Sequence, residues 1–473
     1  MINEDIASPK KNLENRMSLA FRAVPTVVQS IHIVYLDDTL SIFIHTQPRS
    51  NIPFLLPSCL VGPVQPRDME NKQRVVIIGG GIIGCTTAYY ITHHPSYSPE
   101  TTSVTVLEAS AVGGGASGKA GGLVAKWAYP KELVDVTFAE HERLAELHNG
   151  AERWGWRYTN VGEWSGKGEE VSPPSEMTSD VSLQKKDGLH KDAASAKRRA
   201  KKGLPEDLDW VKDTLTESYE PMAGPGETAQ VHPYQFTMNM IQLAQEKGAK
   251  LILGKATDIG STKIEEGRYK KAVSTVSYVD STSGEEVSIP ANTVIVSAGP
   301  WTSTLLPRVP IYGTRAHSIT IRPTRPVSAY ALFTTILMPR SGARRVSQAS
   351  PEIYARPNNE VYACSPGDGK ALPNSTKEVE VDEKVCDALF EQVASISEEM
   401  RGGEVTVKQA CYLPNVNAGP RGCPIVGETE DTRGLIIAAG HTCWVCAIYN
   451  NPEYHPSYQY VSRAYAMLQE RER

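Results

Sequence analysis

Four consecutive apolar residues, Val75-Val76-Ile77-Ile78, run directly into Gly79-Gly80-Gly81-Ile82-Ile83-Gly84, and a second run, Val104-Thr105-Val106-Leu107, ends on Glu108. An unbroken apolar run of this length predicts a strand buried on both faces, as in a parallel sheet, and the residues after Gly81 predict a helix between the two strands. Downstream, Leu133, Val136, Leu144 and Leu147 form an apolar stripe that predicts a helix over 133–148, with Asn149-Gly150 as its stop. A helix over 233–247 ends at Gly248 and is followed by a strand over 250–253, and another buried strand over 294–297 ends in Ala298-Gly299-Pro300. From Gly313 the period shortens. Segments 318–322, 331–333, 352–356 and 360–364 alternate apolar and polar residues, and a helix is expected over 382–400. The pattern predicts an α/β chain, a doubly wound sheet carrying an inserted mixed or antiparallel sheet.

The glycines give the first sheet its chemistry. In a strand-turn-helix unit, Gly79 permits a tight turn and Gly81 lets backbone N–H groups approach a pyrophosphate. Gly84 lets the helix lie close to the strand, and the helix N-terminus faces the phosphate charge. With Ile82 and Ile83 inside the turn and Glu108 placed to accept from a ribose, the unit reads as the opening of a Rossmann-like FAD/NAD(P)-binding domain. Directly after the second strand comes another run of small residues, Ala111 to Gly122, which includes Ala116, Ser117, Gly121 and Gly122. A nicotinamide domain does not need it. A second small-residue run lets more backbone meet a longer, partly buried ligand, and FAD is such a ligand.

At 473 residues, with 40% hydrophobic and 22% charged positions, the chain suits two domains that share buried cores. The net charge of −5 speaks against a nucleic-acid partner, and no stretch is apolar enough for a membrane span. Eight scattered cysteines, with Cys85 inside the nucleotide-binding helix, point to a reducing cytoplasm, and no metal-ligand spacing is present. Residues 1–68 read as an extension outside the core, with an apolar stretch from Val27 to Ile44 broken by His32 and Asp37-Asp38. The FAD-binding domain is expected from 74–164, 207–312 and 411–450, a charged insertion over 165–206, the substrate domain over 313–410, and an atypical tail over 451–473. Within the insertion, Lys197 to Lys202 read as a solvated basic run, with a nuclear address as the other reading.

Gly79 to Gly84, Glu108, the run from Ala116 to Gly122, and Gly440-His441-Thr442 together resemble the D-amino-acid oxidase/glycine oxidase superfamily of FAD-dependent oxidoreductases over about residues 74–444. Gly118-Lys119-Ala120-Gly121-Gly122, His232-Pro233-Tyr234, Arg315-Ala316-His317-Ser318 and Gly440-His441-Thr442-Cys443-Trp444 are similar to a fungal branch of it. The resemblance implies FAD as cofactor, backbone near Ala256 against the adenine, Ala298 and Gly299 beside the dinucleotide, and Gly440, His441 and Thr442 near the flavin. It also implies hydride transfer to flavin from a small amine or amino acid, with oxygen as the final acceptor. The inserted sheet would then cover the flavin's reactive face, which makes Arg315, His317, Tyr354, Arg356 and Tyr362 the candidates for the catalytic pocket.

Two positions depart from the family. Relatives that use α-amino acids clamp the carboxylate with an Arg before a Pro, and Leu413-Pro414 stands there instead, so Arg315 or Arg356 would have to substitute. Sarcosine-oxidase relatives attach FAD to a Cys near Cys411; a small buried hydrophobe is the plainer reading. After Trp444 the chain has Val445-Cys446-Ala447 where relatives have a Gly and a helix start that points at the flavin. A non-catalytic relative acting as a binding or trafficking factor, and a nicotinamide-linked dehydrogenase, are the alternatives to an oxidase.

Overall fold

A computed structural model describes residues 28–36, 39–46, 72–128, 131–171, 193–339, 347–417 and 424–442. The chain divides into two compact units, residues 1–65 and 66–473. In the first, Val28–Leu36 and Thr39–Thr46 pair as an antiparallel hairpin. The second unit holds the cavity described below.

Its first sheet is built on five parallel strands: Gln73–Ile78, Thr102–Glu108, the start of Lys250–Glu266, Thr293–Val296 and Leu435–Ala439. Numbered along the chain they lie in the order 3-2-1-4-5, so the first and fourth strands meet where the winding reverses. Ligands of open α/β sheets bind at that switch point, outside the carboxyl ends of the strands. Ile77 sits in a core with Tyr89, Met240 and Ala244 from the helices Ile82–His93 and Pro233–Glu246. Its neighbours Val76 and Ile78 face the other way, onto Val276 and Tyr278 of the strand Tyr269–Asp280. Both faces are covered, so the run is apolar at every position. The helix Ile82–His93 is buried nearly all round, and Thr86, Thr87 and Thr92 return their hydroxyls to the carbonyls of Ile82, Ile83 and Ala88 at 2.8, 2.7 and 2.9 Å. That satisfies buried hydroxyls without an outside partner.

The second sheet reaches beyond the 313–410 expected of it. Its order is Glu404–Val416, Ile311–Arg322, Glu360–Cys364, Glu352–Arg356, Tyr330–Leu337, Asn160–Lys167, Thr216–Pro221. All pairs are antiparallel except Asn160–Lys167 with Tyr330–Leu337, which makes it a mixed sheet. Asn160–Lys167 and Thr216–Pro221 flank the charged segment, whose residues 172–192 lie outside the described ones.

Three local expectations change. The helix expected over 382–400 is two, Glu383–Ala394 and Glu398–Arg401, because the Ser397 side chain caps the second by accepting from Met400 N–H. The basic run is not fully solvated, since Arg199 is buried and donates to the carbonyl of Leu208 at 2.6 Å, while Arg198 pairs with Asp213. In the helix Lys131–Leu147 the buried residues are Val134, Thr137, Phe138, Glu140, His141, Leu144 and Ala145, and Leu147 is exposed. The true stripe contains a Thr, a Glu and a His, which a purely apolar reading skips.

Candidate functional site

One cavity of about 530 Å³ runs from the carboxyl ends of the parallel strands to the floor of the second sheet. At the strand end its walls include Gly79, Gly81, Ile82, Ile83, Glu108, Ala116, Ser117, Gly121, Gly122, Ala256, Ala298, Gly299, Gly440, His441 and Thr442, that is, every residue expected to hold the cofactor except Gly84. Gly84 works behind the wall. A Cβ there would lie 2.0 Å from the carbonyl oxygen of Gly79, so only glycine lets the helix sit this close to the turn. Gly79 itself has φ +112 and faces the Ser297 backbone, a conformation that L side chains rarely adopt.

The charges in this part are fixed by backbone. Glu108 accepts from Gly80 N–H at 2.7 Å with one carboxylate oxygen and from Ser110 N–H at 2.8 Å with the other. Ser110 in turn shares a hydrogen bond with the hydroxyl of Thr376, from the segment that follows the strand Glu360–Cys364. The helix Ile82–His93 carries no acidic residue in its first turn, and its first N–H, from Ile82, is held by Ser117 Oγ at 2.9 Å. An uncompensated helix N-terminus beside glycine backbone suits a pyrophosphate, and a strand-end carboxylate suits a ribose. The donor set and the shape of the cradle fit FAD. His441 is buried and its imidazole is pushed down to about 4 by desolvation, which keeps it neutral at physiological pH.

The other end is made by cross-strand rows. Because side chains alternate along a strand, Glu352 and Tyr354 share one face, and the register sets Glu352 opposite Phe333 and Cys364, and Tyr354 opposite Tyr362. Phe333, Glu352, Tyr354, Tyr362 and Cys364 all line the cavity, joined by Trp127, whose ring meets Phe333 edge-on. Tyr354 donates its hydroxyl to Glu352. Burial raises the Tyr354 and Tyr362 phenols well above their ordinary value, so neither serves as a base at neutral pH. Gly121 packs directly beneath the Tyr354 ring, where any Cβ would collide with it.

Of the five residues expected in the catalytic pocket, His317, Tyr354 and Tyr362 line the cavity and the two arginines do not. Arg315 is turned into an ion pair with Asp368 at 2.7 Å and donates to the carbonyl of Glu380 at 3.1 Å. Arg356 pairs with Glu360 at 2.8 Å, donates to the carbonyls of Ala120 and Gly121, and stacks its guanidinium 4.6 Å over the Tyr362 ring. It braces the glycine run from behind instead of meeting a ligand. The His317 Nε2 accepts from Asp382 N–H at 3.0 Å, and burial lowers its pKa, so this wall group is a neutral ring anchored to a helix cap. Leu413 does reach the cavity, and with both arginines engaged no guanidinium lines it among the described residues.

Several wall residues had escaped the sequence reading. Lys119 donates from Nζ to the carbonyl of Ala410 at 2.9 Å and its ammonium is pulled below its ordinary value by burial. His141, stacked on Trp156, is pushed down to about 4. Trp127, Phe333 and Glu352 are further examples. Glu352 was within reach of the two-residue period that links it to Tyr354; Trp127 and His141 come from elements that only the tertiary fold brings to the cavity. Cys411 lines the cavity as a buried thiol pushed up to about 11 by desolvation. Val445, Cys443 and Cys446 lie outside the described residues.

The family described as FAD dependent oxidoreductase (DAO) matches residues 74–447. The chain belongs to this family. Its cofactor is accordingly FAD. Among its relatives, the Saccharomyces cerevisiae protein named "Putative oxidoreductase TDA3" is 32% identical over 480 aligned positions, covering 80% of this chain and 89% of the relative. The Schizosaccharomyces pombe protein C1F5.03c, described in the same words, is 30% identical over 385 positions, covering 80% and 91%. Among solved structures, glycine oxidase from Bacillus cereus superposes with a TM-score of 0.54 at 18% identity, over 79% of this chain and 90% of that one. An L-amino acid deaminase from Proteus vulgaris gives 0.52 at 16%, over 80% and 90%. These likenesses establish the DAO-type fold. Among the described residues no helix is long and apolar enough to cross a membrane, and no three His, Cys, Asp or Glu cluster as a metal site.

Proposed function

We propose that this DAO-family oxidoreductase oxidises a C–N bond of a small amine or amino acid, with oxygen taking the electrons from the reduced cofactor, and that it does so in the cytoplasm. The observation that carries this reading is the continuity of the cavity, from the glycine cradle and Glu108 to Tyr354 and Tyr362. A dinucleotide held at one end would share its enclosure with the polar aromatic floor. When bound, FAD supplies the two-electron acceptor.

The protein's own part is mostly positioning. Gly121 and Gly122 bring backbone into the gap between the two sheets, Arg356 holds the Ala120 and Gly121 carbonyls, and Lys119 ties the same run to the strand Glu404–Val416. Trp127, Phe333 and Leu413 give the enclosure apolar walls. The cysteines Cys85, Cys364, Cys386 and Cys411 are free thiols, in keeping with a reducing compartment. The test is a panel of amines and amino acids added to the purified yellow protein, read as anaerobic loss of the flavin bands and aerobic formation of peroxide. Bleaching by at least one amine with peroxide released supports the reading; stable flavin bands across the whole panel overturn it.

A further inference from the structure

Glu352 stands on the cavity wall with no Lys, Arg or His paired to it among the described residues. Its Oε2 accepts from the Tyr354 hydroxyl and, at 3.8 Å, from the Cys364 thiol. Both donors are neutral. Around it the rings form a continuous wall: Trp127 meets Phe333 edge-on at 5.9 Å, Phe333 meets Tyr354 at 6.0 Å, and Tyr354 stacks on Tyr362 at 5.9 Å and 24°. The nearby guanidiniums, Arg315 and Arg356, are neutralised by Asp368 and Glu360 outside the cavity.

A carboxylate in a largely apolar enclosure is costly until a cation pairs with it, and aromatic faces attract cations through their quadrupole. A substrate carboxylate would meet the opposite: a like charge at Glu352, Leu413 at the position of the family's arginine, no guanidinium on the wall among the described residues, and an ammonium at Lys119 that is already tied to the Ala410 carbonyl at 2.9 Å. Building on the amine-oxidising reading, we propose that Glu352, Trp127, Phe333, Tyr354 and Tyr362 form a cation subsite, and that the substrate is a cationic amine recognised by its ammonium group and not an α-amino acid recognised by its carboxylate. The subsite binds charge and apolar substituents together: Glu352 pairs with the ammonium, and the rings cover the alkyl groups on or beside the nitrogen.

The test uses the full-length flavoprotein and three probes, choline, its neutral isostere 3,3-dimethylbutan-1-ol, and benzoate, titrated by calorimetry with tryptophan fluorescence as a second signal. Choline is expected to bind about tenfold or more tightly than the isostere, and benzoate to show no saturable binding. Glu352→Gln should weaken choline by about tenfold while flavin content stays that of the parent, and Glu352→Asp should restore part of the loss. Benzoate binding better than choline, or equal affinity for choline and its isostere, overturns the subsite, and both results come from the unaltered protein should Glu352→Gln fail to fold. Undiminished choline affinity in a folded Glu352→Gln protein overturns it as well. Selective choline binding in a protein whose flavin no amine bleaches supports the subsite and removes the oxidase reading, whereas amine turnover with no choline selectivity does the reverse.

Discussion

The two ends of the cavity are built on different principles. At the dinucleotide end the ligand-facing surface is mainly backbone, and what matters is which residues lack a side chain: a Cβ on Gly84 would meet the Gly79 carbonyl at 2.0 Å. At the other end, the proposed substrate end, the surface is side chain, set by cross-strand register, with Glu352 and Tyr354 on one strand facing Cys364 and Tyr362 on the next. Backbone sites tolerate almost no substitution and say little about which ligand chemistry follows. Side-chain sites are replaceable one residue at a time, and their chemistry is the specificity.

That contrast breaks if the glycines are dispensable. Gly84→Val is expected to destabilise the protein by about 3 kcal/mol or more, at the upper end of overpacking, and to leave it without flavin; thermal unfolding and the ratio of flavin to protein absorbance measure both, and full retention of flavin would refute the close-packing account. Next in size, Glu108→Ala should weaken FAD by about 1.5–3 kcal/mol through lost charge-assisted hydrogen bonds, read as a rise in Kd by flavin titration of the apoprotein. Amine affinity in the flavin-loaded variant should not change, because Glu108 belongs to the other end.

The buried histidines of the wall give a pH signature. His141 and His441 sit near 4 in the folded protein, against an ordinary 6.5. Below 6.5 the unfolded chain takes up protons that the native state refuses, so their contribution is complete above 6.5 and is lost as pH falls towards 4. Over pH 6.5 to 5 each histidine should cost roughly 2 kcal/mol, on the order of 1.4 kcal/mol per pH unit. His141→Phe, which keeps the ring against Trp156, should remove its own share, on the order of 1.4 kcal/mol per pH unit, from that pH dependence of the unfolding free energy; an unaltered slope would mean that His141 is protonated in the fold. Smallest of all, Tyr354→Phe removes one donor from Glu352 and should shift stability by only about 1 kcal/mol, with flavin content unchanged. A loss of flavin from that variant would show that the two ends are not separable.

Much of the dinucleotide end was legible because its signals are local. Strand, glycine turn, helix and Glu108 occupy 36 consecutive positions, 73–108, and the backbone geometry they need can be supplied by few other residues. At the proposed substrate end the candidate residues could be named, but not which of them the fold would turn to the cavity. Tyr354, Tyr362 and His317 do meet in the cavity, but Arg315 and Arg356 carry the same sequence signal and differ only in having Asp368 and Glu360 at hand to neutralise them. A guanidinium is long enough to choose among several carboxylates, and no local pattern says which one it finds.

The sequence by itself determined the α/β fold, the order of the parallel strands' key residues, and FAD, since hydrophobic period and missing side chains act over a few residues at a time. The tertiary structure decided what faces the ligand at the far end. It brought Trp127 onto Phe333 of the strand Tyr330–Leu337 and set Glu352 between Phe333 and Cys364. It also turned His141 inward on a helix whose exposed Leu147 had suggested another face. Those choices depend on strand register and on which charges meet across long separations in the chain, and such terms exist only once the chain has folded.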